Sequence, residues 1–236
     1  MHAFVLRRNN LRENDQVITF YTFEKGKVEA LARGIKKITS KNSSYLSPVF
    51  LVEAEVVEGR EFFQLTKVVP LVCYKNILED LDKSVILQTA FSWLDTLTHL
   101  ERDTKIFLLV KKWIEFLNGD KNVNTALAYS FLANLLKCLG FSPELNQCTV
   151  CDKKNSLEGF YPAGGGLVCH DCLLLKKQAG EQAYSLRSAD ILALKLLFTS
   201  EWNKIFENHT EIANRLVFLY GQYHSGKKLT KLPKII

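Results

Sequence analysis

The stretch CTVCDKKNSLEGFYPAGGGLVCHDC, residues 148–172, holds four of the six cysteines of a 236-residue chain. Cys148 and Cys151 form one Cys-x-x-Cys pair, and Cys169 and Cys172 form a second pair after seventeen intervening residues. A tight turn within each pair aims two thiolates at one point, and four thiolates make the tetrahedral shell that Zn²⁺ accepts. The glycine-rich residues between the pairs predict a hairpin that brings them together. The stretch therefore predicts a zinc ribbon with these four cysteines as ligands.

Other interpretations of the four cysteines are a metal-free thiol cluster, two disulfides and an iron–sulfur cluster. A reducing compartment disfavours disulfides, and iron–sulfur clusters usually show different cysteine spacings. Four thiolates fill a tetrahedral shell and leave no position for water or substrate, so the ion is predicted to be structural. His170 lies inside the second pair. We interpret it as a residue beside the metal shell, not as a ligand.

Helical patterns flank the ribbon on both sides. Apolar residues recur every three or four positions between Ile77 and Leu97, as on an amphipathic helix. Capping residues and glycines bound the further predicted helices, which run from an N-cap at Asp103 to Leu117, then over 125–139, 188–197 and 211–223. The sequence thus predicts a helical domain over 76–147 and 173–236 with the ribbon, 148–172, inserted in it. The lysine-rich tail, 225–236, is expected to be loosely held.

The amino-terminal third is typical of β-structure. Short runs rich in Val, Ile, Phe, Tyr and Thr are separated by turn residues. The predicted strands cover 3–8, 16–23, 27–33, 48–57 and 61–69, and Glu53 and Glu55 are expected on the solvent face. Five short strands suit a small barrel such as the OB-fold over 1–75, although an SH3-like barrel fits the same count. The predicted class is α+β, a small barrel followed by a helical domain with an inserted Cys₄ zinc ribbon.

Composition and charge narrow the functional classes. Hydrophobic residues make up 47% and charged residues 24% of the chain, which excludes intrinsic disorder. The longest apolar runs are about five residues, far short of the ~20 that a membrane span requires, and the first ten residues do not resemble a secretory signal. We expect a soluble, cytoplasmic protein that does not bind membranes. The net charge of +6 is concentrated in the two ends of the chain, which favours contact with a polyanion there.

Motifs of catalysis are missing from the sequence. The five histidines lie in no catalytic pattern, and neither GxSxG nor HExxH occurs. Glu53 and Glu55 form a carboxylate pair that a solvated strand face explains. The protein is therefore predicted not to be an enzyme.

The first third also carries a specific resemblance. Its residues Ala3-Phe-Val-Leu-Arg7, Glu13-Asn-Asp15, Gly26-Lys27-Val28 and Ala30-Leu-Ala32, followed by Gly34, stand in an order that resembles the RecO recombination-mediator family. A helical domain interrupted by two Cys-x-x-Cys pairs continues the likeness along the chain. The resemblance implies a bacterial DNA-repair protein that binds single- and double-stranded DNA and anneals complementary strands. It also implies that the protein helps load the recombinase, with RecR and the single-stranded DNA-binding protein as partners.

The resemblance places DNA binding on the basic residues of the barrel. An OB barrel with a basic rim can follow a phosphate backbone while aromatic side chains stack on bases. Tyr21, Phe23 and Tyr45 are candidates for stacking, with the barrel core as the alternative place for each. The candidate DNA-binding residues are Arg7, Arg8, Arg12, Lys25, Lys27, Arg33, Lys36, Lys37 and Lys41.

Two other functional hypotheses stay open at this point. In one, the protein is an interaction adaptor whose zinc ribbon and helices scaffold a complex, and its DNA contact is incidental. In the other, it is a metal-dependent hydrolase of nucleic acid, which would need clustered acidic or histidine ligands with open positions on the metal. The sequence shows no such cluster.

Overall fold

The structure is a computed structural model that describes residues 1–37, 43–119 and 123–233. The chain divides into two compact units. The first comprises Met1–Val123 together with Thr230–Ile236, and the second comprises Asn124–Leu229. Within the described ranges, no helix combines the length and the apolar character needed to cross a membrane.

The first unit contains the predicted five-stranded barrel. Its strands are β1 (His2–Asn10), β2 (Gln16–Thr22), β3 (Gly26–Ala32), β4 (Phe50–Val57) and β5 (Phe63–Cys73). They close in the order β1-β2-β3-β5-β4, with β4 pairing back onto β1. The fold class is confirmed.

Alternation along the strands builds the core of the barrel. Val5, Ile18, Phe20 and Val52 point inward and are buried. Glu53 and Glu55 lie on the solvent face of β4, as predicted. The alternation of buried and more exposed residues is clear in β3 and β4, whereas every residue of β2 is buried.

The fifth strand is longer than predicted. The sequence pattern ends it at Val69, but β5 continues through Pro70 to Cys73. Pro70 lies opposite Val52, where the register of the β4–β5 ladder shifts. An irregular position of this kind tolerates a residue that has no N–H to donate, so proline does not end the strand here.

Strand directions give the barrel two distinct ends. At one end, which we call the loop end, the β1–β2 loop (11–15) lies next to the segment that follows β3 (33–37). The amide of Lys36 donates to Asn14 O at 3.2 Å, and the amide of Gly34 donates to Asp15 Oδ1 at 2.8 Å. The opposite end, the turn end, carries the β2–β3 turn (23–25) and the β4–β5 turn (58–62).

Three helices follow the barrel in the first unit. They are α1 (Lys75–Leu78), α2 (Leu81–Leu97) and α3 (Thr104–Gly119). The single amphipathic helix predicted from Ile77 is interrupted because Asp80 accepts a hydrogen bond from Lys83 N and starts a new helix. Asp103 caps α3 as predicted, since its Oδ1 accepts from the amides of Lys105 and Ile106.

The second unit combines helices with the ribbon. The helices are α4 (Thr125–Cys138), α5 (His170–Gln178), α6 (Ser188–Leu197), α7 (Trp202–Asn208) and α8 (Glu211–Ser225). A three-stranded sheet in the order β7-β6-β8 contains β6 (Leu157–Tyr161), β7 (Gly166–Cys169) and β8 (Tyr184–Ser185). The predicted hairpin between the cysteine pairs is therefore present. Helices α5 and α7 were not predicted.

The expectation of a loosely held tail is wrong for its first described residues. Leu229 is buried, and Thr230 O accepts a hydrogen bond from Trp93 Nε1 at 2.7 Å. The hydroxyl of Thr230 also lies 2.8 Å from Ser92 Oγ. A buried indole needs an acceptor for its N–H, and the tail supplies that acceptor.

Candidate metal centre and basic barrel surface

Four cysteine thiols converge in the second unit. The Sγ atoms of Cys148, Cys151, Cys169 and Cys172 all lie within 4.8 Å of one another. Cys148, Cys169 and Cys172 are buried, whereas Cys151 is exposed. Sequence spacing alone predicted this group, and the structure brings all four members together.

Backbone hydrogen bonds position the two pairs. In the first pair, Cys148 N donates to Lys153 O at 2.8 Å, and Asp152 N donates to Cys148 O at 3.0 Å, which closes a tight turn. Thr149 N donates to Leu167 O at 2.9 Å and ties this turn to β7. The second pair lies where β7 ends at Cys169 and α5 begins.

Electrostatics favours thiolate at one position and opposes it at another. Burial raises the pKa of the Cys148 thiol, but hydrogen bonds from backbone amides, led by that of Cys169, outweigh burial and lower the pKa to about 6. Burial raises the pKa of Cys172 above its ordinary value. Four adjacent thiolates need a cation to offset their mutual repulsion. A bound metal ion would supply that charge.

The donor set fits a soft, tetrahedrally coordinated metal ion. Four sulfur ligands are the shell typical of structural zinc, and they fill every position around the ion. His170 is exposed and its Nδ1 lies 2.8 Å from Glu158 Oε2, outside the thiol group. The four cysteines could therefore hold a metal ion without help from the histidine.

An ion pair that the sequence did not reveal connects the two cysteine pairs. Lys153, two residues after Cys151, lies 3.0 Å from Asp171 in the second pair. This contact lowers the pKa of Asp171 through the hydrogen bond and the charge of Lys153. The two side chains are both exposed, so the ion pair contributes little to the stability of the ribbon.

Four basic residues lie at the loop end of the barrel. Arg12 lies in the β1–β2 loop, and Arg33, Lys36 and Lys37 lie in the segment after β3. We call these four residues the loop-end basic cluster. All four side chains are exposed, and within the described part of the chain none of them forms an ion pair.

Arg8 lies near this cluster, but its guanidinium is bonded within the protein. It donates to Gln16 Oε1 at 3.0 and 2.8 Å and to Leu46 O at 3.2 Å. Tyr45, one of the stacking candidates, immediately precedes Leu46 and packs edge-on against Phe50 at 5.9 Å. It is half-buried.

Three other candidates lie away from the loop end. Lys27 is largely buried, and its Nζ donates to Asp95 O at 2.6 Å, Asp95 Oδ1 at 3.3 Å and Thr98 O at 3.0 Å. Arg7 lies 3.4 Å from the carboxylate of Asp95 and 3.6 Å from that of Glu29. Lys25 lies at the turn end. The ninth candidate, Lys41, is outside the described residues.

The other two aromatic candidates pack inside the first unit. Tyr21 is 1% exposed, and its hydroxyl donates to Asp103 O at 3.4 Å. Phe23 packs against Phe107 with ring centroids 5.4 Å apart and lies beneath the guanidinium of Arg102. For Tyr21 the alternative of a core position is therefore the right one.

Comparison with known proteins identifies the family. The model described as "Recombination protein O N terminal" matches residues 1–74, and "Recombination protein O C terminal" matches residues 78–233. The chain belongs to the RecO family. Its barrel is thus the OB-like amino-terminal domain of RecO proteins, and its membership supports a role in DNA repair.

Curated relatives agree with this assignment. The chain is similar to proteins named "DNA repair protein RecO" from three bacteria. It is 28% identical to that of Caldanaerobacter subterraneus over 172 residues, 72% of this chain and 69% of the relative. It is 26% identical to that of Thermoanaerobacter sp. over 204 residues, which cover 86% of this chain and 81% of the relative. It is 31% identical to that of Syntrophomonas wolfei over 172 residues, which cover 72% of this chain and 68% of the relative.

Proposed function

We propose that this RecO-family chain is a DNA-binding recombination mediator of bacterial DNA repair. In this role it binds single- and double-stranded DNA, anneals complementary single strands and helps load the recombinase. RecR and the single-stranded DNA-binding protein are its proposed partners, and the cytoplasm is its proposed location. The loop-end basic cluster carries the proposal, because it presents four exposed cations, which form no ion pair among the described residues, on one end of an OB-like barrel.

The distribution of charge over the barrel supports DNA at the loop end. The turn end carries Glu24, Glu58 and Glu61 beside the cations Lys25 and Arg60. The loop end also carries Glu13 and Asp15, but its four cations outnumber these two carboxylates, whereas carboxylates outnumber cations at the turn end. Each phosphate that such a residue neutralises releases counterions, which drives binding.

We propose a smaller DNA-contacting set than the nine residues named from the sequence. Arg12, Arg33, Lys36 and Lys37 contact phosphate, and Lys41 lies four residues after Lys37 in the chain. Arg7 and Lys27 instead hold the barrel to α2 through Asp95. Arg8 positions the loop end through Gln16 and Leu46.

Zinc is the proposed ion of the cysteine group, and its role is structural. The ion would supply a cross-link between the two cysteine pairs and would add to the small hydrophobic cluster of Tyr161, Val168 and Leu173 in the ribbon. Cys148, Cys151, Cys169 and Cys172 bind it, and backbone amides orient the thiolates. The proposed domain division is a barrel over 1–75 and a helical domain in which the ribbon, 148–172, is inserted.

Strand annealing requires no bond chemistry, so we propose that the protein is not an enzyme. Among the described residues, the group of His, Cys, Asp and Glu side chains able to hold a metal ion is the four-cysteine set. Its four sulfur ligands complete a tetrahedral shell, which leaves substrate no place on the ion.

The annealing assay tests the proposal directly. Complementary oligonucleotides coated with single-stranded DNA-binding protein are mixed with the wild-type chain or with a variant carrying Arg33→Glu, Lys36→Glu and Lys37→Glu. The matched control is Arg60→Glu at the turn end. We expect annealing by the wild type and the control and its loss in the triple variant. Equal annealing by all three would remove the loop end from the proposal, and partner binding without any annealing would support the adaptor hypothesis.

A further inference from the structure

The barrel wall has a gap beside its third strand. β3 pairs with β2 along its whole length, but it pairs with β5 only at Ala30 and Leu31. Among the described residues, no strand lies on the β5 side of residues 27–29. The edge of a strand without a neighbour offers N–H and C=O groups to an incoming chain.

The β4–β5 turn leaves this gap open by folding sharply back on itself. Gly59 packs so tightly that a Cβ built on it would lie 2.2 Å from Phe62 O, so only glycine fits this turn. The chain rejoins β3 at Phe63, opposite Ala30. Residues 58–62 therefore form the far wall of a cleft whose near wall is the edge of β3.

The cleft has a volume of about 550 Å³ and an apolar lining on one side. Phe62 and Phe63 come from the β4–β5 turn and the start of β5, and Leu100 comes from the loop between α2 and α3. Leu100 is 69% exposed, so its side chain is accessible to an apolar group that enters the cleft.

Carboxylates dominate the charge around the cleft. Glu58 and Glu61 are exposed at its rim and form no ion pair within the described residues. Of the two lysines in the lining, Lys27 is bonded to Asp95 and Thr98, and Lys25 lies 4.6 Å above the ring of Phe63. The two unpaired carboxylates at the rim therefore favour a cationic ligand over a phosphate backbone.

We infer that this cleft binds an extended, basic and apolar segment of a partner protein by strand addition. The segment pairs its backbone with the free edge of β3 at residues 27–29. It places apolar side chains against Phe62, Phe63 and Leu100, and its Lys or Arg side chains face Glu58 and Glu61. The inference does not depend on DNA binding at the opposite end of the barrel.

The test uses a fluorescent seven-residue peptide in which lysine alternates with valine or leucine, and measures its anisotropy with the full-length protein. The matched control peptide has glutamate in place of lysine. A third peptide carries N-methyl groups on alternate residues, which removes its ladder donors and leaves its side chains unchanged. The protein variant is Glu58→Lys with Glu61→Lys, two exposed turn positions.

We expect the lysine peptide to bind the wild-type protein and the glutamate peptide to bind at least about tenfold more weakly. N-methylation and the double glutamate variant should each weaken binding of the lysine peptide by about tenfold as well. Oligonucleotide affinity should not fall in the variant, which shows that it is folded. The inference would be overturned if the lysine peptide did not bind. It would also be overturned if neither N-methylation of the peptide nor the double glutamate variant changed the affinity.

Discussion

Lys27 and Lys36 show how residues of one type take different roles in this barrel. Both are lysines in the basic amino-terminal third, and the sequence gives them the same candidate role. The structure surrounds the ammonium of Lys27 with oxygens of Asp95 and Thr98, 68 and 71 residues away. No local pattern reveals partners so distant in the chain, so the sequence could name the cations but could not separate the structural ones from the free ones.

This difference predicts opposite effects of two alanine variants. Lys27→Ala should lower the free energy of unfolding by about 1–3 kcal/mol, because it leaves the largely buried Asp95 carboxylate short of a partner. Lys36→Ala should change it by less than about 0.5 kcal/mol and should instead weaken DNA binding. Urea unfolding together with oligonucleotide titration measures both effects. Equal stability of the two variants would contradict the structural role of Lys27.

Asp190 is expected to make the stability of the second unit depend on pH. Its buried carboxylate accepts from Arg187 N at 3.0 Å and Nε at 3.1 Å, and the hydrogen bonds and charge of Arg187 lower its pKa. A folded pKa below the unfolded value stabilises the fold at neutral pH. That stabilisation is lost as pH falls below the ordinary aspartate value of about 3.9 and through the folded pKa.

The variant Asp190→Asn should therefore be less stable than the wild type at neutral pH, and the difference should shrink as the solution is acidified. Thermal unfolding midpoints measured from pH 7 down to about pH 3 give the comparison. If the difference between the two unfolding midpoints stays constant over this pH range, the charge of the Asp190 carboxylate does not contribute to stability.

At the scale of elements, patterns of period and capping predicted most of what the structure contains. All five barrel strands, the ribbon hairpin and the Asp103 cap were predicted because each has a local cause. Helix α5 was not predicted, because it begins at His170 inside the second cysteine pair, where the spacing was interpreted only as a metal turn. The end of β5 was missed because proline is tolerated only at a register shift, and the register is a property of two strands.

The ribbon hairpin depends on close packing at Gly166. A Cβ at this position would lie 2.2 Å from the backbone oxygen of Glu144, whereas a Cβ at the neighbouring Gly165 would meet nothing within 4 Å. Gly166→Ala should therefore lower the melting temperature and the bound metal content well below those of Gly165→Ala. The control carries only the strain of its positive φ, about 1 kcal/mol. Metal analysis and thermal unfolding check this, and equal losses in both variants would be contrary to it.

Metal binding at the ribbon should be separable from DNA binding at the barrel. Cys148→Ser with Cys151→Ser should reduce the metal content from one ion per chain to none and destabilise the second unit. The affinity of the barrel for oligonucleotides should stay within about twofold of the wild type, because the loop-end basic cluster belongs to the first unit. Elemental analysis and anisotropy titration measure the two quantities. A parallel loss of DNA affinity would give the ribbon a role in binding.

At the scale of the whole chain, two compact units carry different chemistry. The first contains the OB-like barrel with a basic loop end and an acidic turn end, and the second contains the four-thiol group among its helices. The sequence predicted both the barrel and the thiol group. The polarity of the barrel was not predictable, because the loops that meet at each end are separated by many residues and are assembled only by strand pairing.

The salt dependence of DNA binding is the most direct test of the role of the loop-end basic cluster. The binding constant for single-stranded DNA should fall with salt in the wild-type protein. Replacing Arg12, Arg33, Lys36 and Lys37 by alanine should make the logarithmic slope shallower by about 0.7 for each phosphate that the protein no longer neutralises. A variant that keeps the wild-type slope and affinity would contradict the assignment of DNA binding to this end of the barrel.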